Sequence, residues 1–383
     1  MRVAFLAPLP PPRTGQSLCD LAVLERLNTN HDVEVIATSK GELRQGVGSF
    51  RHLGATARQV WRTLVAAVRV RRSDADAIYL SPSQTVVGHA KDLLLLGAMG
   101  ATKRRRAVLH LHGGGFAHVL NGRWAPLTRR WFGSVGAVIV LGPSLRGQLS
   151  RVVDEERIVE VVNFAADELF VDPAVPPQRW QQVNDRPAGA EPITVLYLSS
   201  LFASKGYPAV IDAASRFAAE GDDRVRFVIA GGAPDPSDLD AVLSAAGALA
   251  NLTYVGELDD AGRAEMLRRA AVVAVPTRYP WEGQPLAILE AYANGSVVAA
   301  TEHGGISDVF VAGRNGPLLV GATPQQLGES LADALRSLLD DPSGSAAIAR
   351  HNRDRAELFR RDRFADEVVQ VLEHAAAGTS AGR

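Results

Sequence analysis

Short apolar runs alternate with longer stretches of helical period along most of the chain, and this alternation limits the possible folds more than any other feature. Short apolar runs bounded by turn residues are typical of buried parallel strands, and the helical stretches between them are typical of crossover connections. The pattern predicts an α/β protein built on parallel sheets. The predicted strands lie at 3–7, 33–37, 77–80, 107–111, 137–141, 158–162, 193–198, 225–230, 252–255, 271–275 and 297–300.

A segment rich in proline and polar residues, between Phe170 and Pro192, interrupts the alternation and is typical of a linker. We expect an α/β domain at 1–175, a linker at 176–192 and a second α/β domain at 193–342, followed by a helical segment at 343–374 and a disordered tail at 375–383. Ligands of such sheets bind at the carboxyl ends of the strands. The expected ligand site is therefore a cleft between the two domains.

The charges are divided unevenly along the chain, although the formal net charge is only −1. Residues 1–175 carry 22 basic and 15 acidic side chains, whereas residues 176–383 carry the remaining 19 basic and 27 acidic ones. The two halves should therefore meet different partners. A composition of 46% hydrophobic and 22% charged residues excludes a disordered chain. Nucleic acid is not expected as a partner, because no recognition motif accompanies the basic residues.

Cysteine usage and hydropathy indicate a cytoplasmic protein. The single cysteine, Cys19, cannot form an internal disulfide, which fits a reducing compartment. The first residues read as a strand broken by prolines rather than as a signal peptide. No apolar run approaches the roughly 18 residues that span a bilayer. The expected location is the cytoplasm, with peripheral contact to the inner face of the cell membrane as an open alternative.

The segment 276–308 carries the most informative motif, PTRYPWEGQPLAILEAYANGSVVAATEHGGISD. A strand is followed by a loop, and an apolar helix begins near Pro285, a residue suited to a first helical turn. Glu282 lies in the loop and Glu290 lies eight residues later in the helix. The backbone N–H groups at the positive end of this helix belong to Gly283, Gln284 and Leu286. Such a helix end predicts an anion-binding site.

This motif resembles the E-x7-E pattern of the retaining GT-B glycosyltransferases, in particular family 4, and the resemblance covers nearly the whole chain. It implies two Rossmann-like domains, with a nucleotide-sugar donor bound mainly by the second and an acceptor mainly by the first. Glu282 would contact hydroxyls of the donor sugar, and Glu290 the ribose hydroxyls. The loop amides, together with Gly304 and Gly305, would approach the sugar and the diphosphate. Pro285 stands where the family commonly has glycine, which removes one donor amide.

A second match, LYLSSLFASKG, places a lysine and a glycine between a strand and a helix. In the family this place usually reads G-R-L followed by K-G, and the two cations neutralise the leaving diphosphate. This chain keeps Lys205 but has Ser199 and Ser200 where Gly and Arg are usual. The developing charge needs compensation. Either Arg278 supplies it, or Lys205 and the helix N-terminus suffice.

The first half contributes a glycine loop and a histidine. Gly15, after the first strand, resembles the glycine-bearing loop that family members place over the donor phosphates, and Arg13 is either a phosphate contact or a surface arginine. His110 and His112 lie on the same side of one strand because side chains alternate. His112, at the strand end, resembles the histidine that family members point at the donor sugar. We interpret His110 as a packed residue and His118 as a helical one without a site role.

No metal site is predicted. The three histidines near residue 112 have no Cys or Glu partner at metal-ligand spacing. Asp74 and Asp76 form a D-x-D pattern, but they precede a strand rather than follow it, so we interpret them as solvated turn residues. This agrees with metal-independent GT-B chemistry. No cofactor is expected either, because the nucleoside-diphosphate sugar is a substrate.

The basic excess is concentrated in three segments, at 58–72, 103–106 and 123–132. The first and third mix aromatic and aliphatic residues with arginine at helical spacing. Either they lie on an anionic membrane surface, or they are amphipathic helices that pack on their own sheet with arginine outside. The predicted membrane or acceptor patch consists of Arg104, Arg105, Arg129, Arg130 and Trp131.

Together these features predict a retaining, metal-independent glycosyltransferase. The expected donor is a nucleoside-diphosphate sugar, with UDP preferred over GDP, and the expected acceptor is a lipid-linked saccharide of bacterial surface-polysaccharide synthesis. Glu282, His112 and Lys205 are the predicted catalytic residues. Two alternatives stay open: a GT-B sugar-nucleotide epimerase, and a non-catalytic binding or scaffold protein with a degraded site.

Overall fold

The computed structural model describes residues 1–11, 13–37, 53–184 and 191–378. The chain divides into unit 1, which is Met1–Asn163 with Arg361–Arg383, and unit 2, which is Phe164–Arg360. All the predicted strands are present, with ends within two residues of the prediction. The central strands are short apolar segments that are largely buried on both faces, as expected for parallel sheets covered by helices, whereas the edge strand Asp32–Val35 is mostly exposed.

The strands of unit 1 form a parallel sheet in the order β2-β1-β3-β4-β5-β6. The strands are β1 (Arg2–Leu6), β2 (Asp32–Val35), β3 (Ala77–Leu80), β4 (Ala107–His110), β5 (Ala137–Val140) and β6 (Ile158–Glu160). The helices are α1 (Gly15–Asn30), α2 (Leu53–Arg72), α3 (Val86–Arg104), α4 (Phe116–Asn121), α5 (Ala125–Phe132), α6 (Pro143–Leu149) and α14 (Arg361–Ala377). The strand order reverses between β1 and β3, which opens a crevice at their carboxyl ends.

The strands of unit 2 form a second parallel sheet, in the order β11-β10-β7-β8-β9. The strands are β7 (Ile193–Leu198), β8 (Val225–Ala230), β9 (Leu252–Tyr254), β10 (Ala270–Val275) and β11 (Val297–Ala300). The helices are α7 (Val175–Asn184), α8 (Tyr207–Glu220), α9 (Pro236–Ala248), α10 (Asp260–Arg269), α11 (Leu286–Ala293), α12 (Pro324–Asp340) and α13 (Pro342–Arg355). Here the order reverses between β7 and β10, so the crevice lies beyond these two strands.

The boundary between the halves differs from the sequence prediction. The units separate after Asn163 rather than after residue 175, and the expected linker at 176–192 begins inside α7. Trp180 of α7 is buried in the hydrophobic core of unit 2, because the apolar contact outweighs the polar, proline-rich composition around it. The remainder of the expected linker, 185–190, lies outside the described residues.

The C-terminal segment expected at 343–374 is divided between the two units. Helix α13 belongs to unit 2, whereas α14 returns to unit 1. A buried stripe of α14, formed by Phe364, Val368 and Leu372, packs there. The expected disordered tail is helical as far as Ala377, and residues 379–383 lie outside the described part. None of the described helices is long and apolar enough to cross a membrane.

Candidate donor site and histidine cluster

Lys205 and Glu282 meet at the point where the strand order of unit 2 reverses. Lys205 ends the loop after β7, and Glu282 lies in the loop after β10. The Lys205 Nζ atom lies 2.8 Å from Oε1 and 2.7 Å from Oε2 of Glu282. The Glu282 side chain is 6% exposed, whereas that of Lys205 is 19% exposed. The pair is therefore a largely desolvated ion pair whose cation keeps access to solvent.

Neighbouring side chains hold both members of this pair in place. The buried Thr277 hydroxyl donates a hydrogen bond of 2.7 Å to Glu282 Oε2. The Lys205 ammonium lies 4.5 Å from the centroid of the Tyr279 ring, which adds a cation–π contact. Tyr279 in turn stacks on Phe202. The carboxylate and the ammonium thus each have a fixed direction before any ligand binds.

The N-terminus of α11 lines a small pocket together with the ion pair. The pocket has a volume of about 30 Å³, and Lys205, Glu282, Pro285 and Ala287 are among its lining residues. Pro285 has extended backbone (ψ 122°) and precedes the helix. It does not form the first helical turn, for which we considered it suited from the sequence. The first amide groups of a helix have no intrahelical acceptor and carry partial positive charge. The pocket therefore combines an ammonium and a helix end, which suits an anion.

Glycines allow close backbone packing around Glu282. Gly304 has a φ of 57°, and a Cβ atom there would lie 2.3 Å from the Glu282 carbonyl oxygen. The Gly305 amide donates a hydrogen bond of 3.3 Å to the same oxygen. Gly206, after Lys205, has a φ of 95°, and its Cβ would lie 2.2 Å from the Pro276 carbonyl oxygen. Gly304 and Gly305 therefore pack directly against the loop that carries Glu282, Gly283 and the buried Gln284.

Three other residues assigned to the donor site have different surroundings. Glu290 is buried in α11 and forms an ion pair with Arg263 of α10, whose Nε lies 3.0 Å from Oε2. Arg278 is exposed, and its guanidinium donates to the carbonyl oxygen of Gly321. Ser200 is also exposed. The structure thus brings Lys205, Glu282 and the helix end together and gives Glu290 and Arg278 partners of their own.

A buried cluster in unit 1 surrounds the predicted His112. His112 Nε2 lies 3.2 Å from Oδ1 of Asp20, which lies on α1. The Tyr79 hydroxyl lies 2.7 Å from the same oxygen and 2.7 Å from His110 Nδ1. The two imidazole rings are 3.9 Å apart between centroids. His110 is packed as predicted, but its partners make it part of a polar network rather than a purely apolar contact.

The protonation pattern of this cluster follows from its hydrogen bonds. Burial and, secondly, Asp20 raise the pKa of Tyr79 well above its usual value, so its hydroxyl donates to Asp20. His110 Nδ1 must then donate to the Tyr79 oxygen. Burial and the neighbouring His112 lower the pKa of His110, so its ring stays neutral. An ionised Asp20 can only accept, which places a proton on Nε2 of His112.

Asp20 is also an acidic partner that the sequence interpretation of the histidines did not include. Asp20, His110 and His112 each offer one potential metal-ligand atom, and these atoms lie within 4.8 Å of one another. The Tyr79 hydroxyl bonds to Asp20 Oδ1 and to His110 Nδ1. Among the described residues, Asp20 Oδ2, His110 Nε2 and His112 Nδ1 are buried without a hydrogen-bond partner.

The remaining sequence candidates of unit 1 lie near or outside this cluster. Gly15 is the exposed first residue of α1, next to Gln16, whose side chain donates 2.8 Å to Ser81 across the crevice of the sheet. His118 is exposed on α4. Asp76 accepts a hydrogen bond from the Arg2 backbone before β3 begins, so it has a structural role at the start of the strand.

The predicted basic patch is only partly a surface. Trp131 packs against the core of unit 1 and lies close to Gly97 of α3. A Cβ atom on that glycine would lie only 2.8 Å from the indole ring. Arg104 bonds to the Leu96 carbonyl oxygen and to Ser134. Exposed arginines of the patch are Arg105, Arg129 and Arg130. Trp131 is therefore half-buried, and the role of this patch in membrane or acceptor contact stays a prediction.

Sequence reasoning missed Thr277, Asp20 and Arg263. Asp20 could have been found, because it shares one face of α1 with Leu24 and Leu27 at helical spacing, and a carboxylate on a buried stripe requires a partner. Thr277 and Arg263 carry no comparable signal. Their contacts depend on how loops and helices converge around β10.

Residues 178–355, all within unit 2, match the family described as Glycosyl transferases group 1. Two curated relatives are an alpha-D-kanosaminyltransferase of Streptomyces kanamyceticus and an alpha-maltose-1-phosphate synthase of Mycolicibacterium smegmatis. Both are 28% identical to this chain, the first over 57% of its length and the second over 63%. These alignments cover 55% and 64% of the relatives, so the chain spans less than two thirds of their length.

Similarity to solved structures extends over the whole chain. The structure of Anabaena HepE in complex with UDP superposes with a TM-score of 0.72 at 18% sequence identity. The superposition covers 97% of this chain and 100% of the HepE chain. The two parallel-sheet units described above account for this similarity. The protein therefore has the fold of the GT-B glycosyltransferases, and its unit 2 carries the region that matches the group 1 glycosyl transferases.

Proposed function

We propose that the protein is a retaining glycosyltransferase that transfers a sugar from a nucleoside diphosphate to an acceptor hydroxyl without a metal ion. The observation that carries this proposal is the Lys205–Glu282 pair beside the N-terminus of α11, at the carboxyl ends of β7 and β10. The family match of 178–355 supports it. The UDP bound to HepE supports UDP as the nucleotide. A lipid-linked saccharide is the proposed acceptor.

The charges of the pair support a different role for each of its members. An ionised carboxylate accepts hydrogen bonds, so Glu282 suits sugar hydroxyls and repels phosphate. The Lys205 ammonium and the amides of α11 suit the diphosphate. In the proposed step the bond from the anomeric carbon to the diphosphate oxygen breaks and the bond to the acceptor oxygen forms on the same face. The acceptor proton passes to the departing diphosphate, so no protein nucleophile is needed.

His112 is the residue of unit 1 that we assign to the donor sugar, as the family resemblance implies. Asp20 fixes its ring by accepting from Nε2. Asp20→Asn should then reduce the transfer rate and leave the donor affinity nearly unchanged, since Asp20 orients His112 and does not itself touch the donor. Equal rates in wild type and Asp20→Asn would remove this role.

A thermal-shift panel with UDP-, GDP-, ADP- and dTDP-sugars tests donor binding. A ligand that binds only the native state raises the melting temperature, and the rise grows as the ligand concentration exceeds its Kd. We expect the largest shift with a UDP-sugar and its loss in Lys205→Ala. No shift with any donor would contradict the proposal. Product analysis separates the alternatives: an epimerase alters the donor sugar without an acceptor, and a scaffold releases no nucleoside diphosphate.

A further inference from the structure

Helix α2 of unit 1 has apolar residues on both its buried and its exposed sides. The buried side is formed by Thr63, Ala66, Ala67 and Val70, which face the core at helical spacing. A surface helix with this inner stripe would be expected to carry polar residues on the opposite side. The exposed fractions instead are 54% for Val60, 68% for Trp61, 45% for Leu64, 39% for Val65 and 48% for Val68.

These five residues form one continuous stripe, which we call the outer face of α2. Positions 60, 64 and 68 follow each other at one turn, and 61 and 65 lie beside them. The described residues contain other exposed apolar side chains, but none of these groups is as large: Val86, Val87 and Leu94 lie on α3, Leu243 lies on α9, and Val311 and Val320 lie in separate loops of unit 2. Single exposed apolar residues need no explanation, whereas a contiguous stripe marks an interaction surface.

Arginines surround the outer face, and α2 contains no Asp or Glu. Arg58 and Arg62 lie in its first half, and the exposed Arg69, Arg71 and Arg72 lie in its last turn. Arg69 is paired with Glu34 of β2, with its Nη2 2.8 Å from Oε1. The outer face therefore presents an aromatic and aliphatic stripe inside a positively charged border.

We propose that the outer face of α2 docks on an anionic lipid bilayer. Tryptophan settles at the headgroup level of a bilayer, and aliphatic side chains enter the adjacent acyl region. Arginine near an anionic surface adds about 1 kcal/mol per residue. This surface lies within the basic segment 58–72 and is separate from the predicted patch around Trp131, and the inference is independent of the proposed enzymatic activity.

Vesicle co-sedimentation of the full chain tests the proposal with matched variants. Wild-type protein should bind phosphatidylglycerol-containing vesicles, bind phosphatidylcholine vesicles much more weakly, and dissociate as salt rises. Leu64→Gln should weaken anionic-vesicle binding roughly tenfold, because one inserted side chain is lost. Leu243→Gln, a control on α9 with 51% exposure, should bind like wild type. Both substitutions are on exposed positions, so melting temperatures should be unchanged.

The basic border has its own control. Arg71→Gln with Arg72→Gln should reduce binding and its salt dependence, whereas Arg268→Gln with Arg269→Gln, a similar pair at the end of α10, should not. The proposal is overturned if wild type does not bind anionic vesicles, or if Leu64→Gln and Leu243→Gln bind equally. It is also overturned if the wild type is a dimer in solution that Trp61→Gln converts to a monomer, because a second copy would then cover the face.

Discussion

Lys205 Nζ lies within 2.8 Å of both carboxylate oxygens of Glu282, although the two residues are 77 positions apart in the sequence. They meet because Lys205 follows β7 and Glu282 follows β10, and these two strands are neighbours in the sheet. The strands that come after β7 are added on one side of this pair and the strand that comes after β10 on the other, so the loops diverge there. The chain thus places a cation and an anion where the strand order of unit 2 reverses and the connecting loops leave a crevice.

Replacing one member of this pair should cost more stability than replacing both. Lys205→Met leaves the buried Glu282 carboxylate with only Thr277 among the partners described here, so we expect a loss of about 1–3 kcal/mol in the free energy of unfolding. The Lys205→Met/Glu282→Gln double variant should recover part of that loss. Urea titration of the single and double variants measures the coupling. Strictly additive losses would show that the pair is not coupled in the folded state.

Arg278 provides a test of how the diphosphate charge is compensated. Its guanidinium is exposed and hydrogen-bonded to the Gly321 carbonyl oxygen. Arg278→Gln should therefore change the transfer rate by less than about threefold, because an exposed charged contact contributes little energy. Lys205→Gln should reduce the rate on the order of a hundredfold or more. Comparable losses in the two variants would mean that Arg278 leaves Gly321 to act on the donor.

Gly304 should tolerate no side chain, for a reason that Gly313 does not share. Both have positive φ, 57° and 76°, so alanine costs about 1–2 kcal/mol of backbone strain at either position. Only at Gly304 would the new Cβ also meet the Glu282 carbonyl oxygen, whereas nothing lies within 4 Å of the corresponding point at Gly313.

Gly304→Ala should therefore lose donor binding as well as stability, and Gly313→Ala should lose stability alone. Donor titrations on both variants, at a temperature where each is folded, measure the difference. Normal donor affinity in Gly304→Ala would separate this glycine from the site.

Much of unit 2 could be read from the sequence, and the reason is local. Strand β10, the loop with Glu282 and the helix with Glu290 follow one another within a single stretch of chain, so their order along the sequence is also their order in the site. Lys205 was found in the same way, from a strand, a loop and a glycine. The partners Thr277 and Arg263 depend on tertiary packing and were not found.

The division of the chain was predicted less well, because sequence proximity is a poor guide to which core a helix joins. Helix α14 follows unit 2 in the sequence and yet packs in unit 1, where the Phe364 ring lies 5.8 Å from that of His110. Its apolar stripe predicts a buried face but not the sheet that buries it. Trp180 likewise lies in a segment of linker composition and is buried all the same.

Unit 1 should lose stability as the solution becomes acidic. Burial lowers the pKa of His110 below its ordinary 6.5, so the unfolded chain takes up the proton first. The contribution of neutral His110 is therefore complete above about pH 6.5 and declines as the pH falls towards the pKa of the folded state. Burial also lowers the pKa of His89, opposed by Asp92, and its contribution has the same sign.

Melting temperatures of the wild type, His110→Gln and His89→Gln, measured from about pH 7.5 to about pH 5.5, test this. The wild type should lose more stability over this range than either variant loses. Having two variants keeps the test usable if one of them does not fold. A wild-type melting temperature that stays constant or rises on acidification would contradict the assignment.

The central claim is that unit 2 binds a nucleoside-diphosphate sugar and that Lys205 and Glu282 serve its transfer. The most direct measurement is acceptor-dependent release of nucleoside diphosphate, with the anomeric configuration of the product, in wild type, Lys205→Ala, Glu282→Ala and the control Glu265→Ala, a half-buried glutamate of α10 that pairs with Arg268. We predict release and a glycoside of retained configuration in wild type and Glu265→Ala, and no transfer by the folded Lys205→Ala and Glu282→Ala proteins. Wild-type rates in either of those two variants would contradict the account.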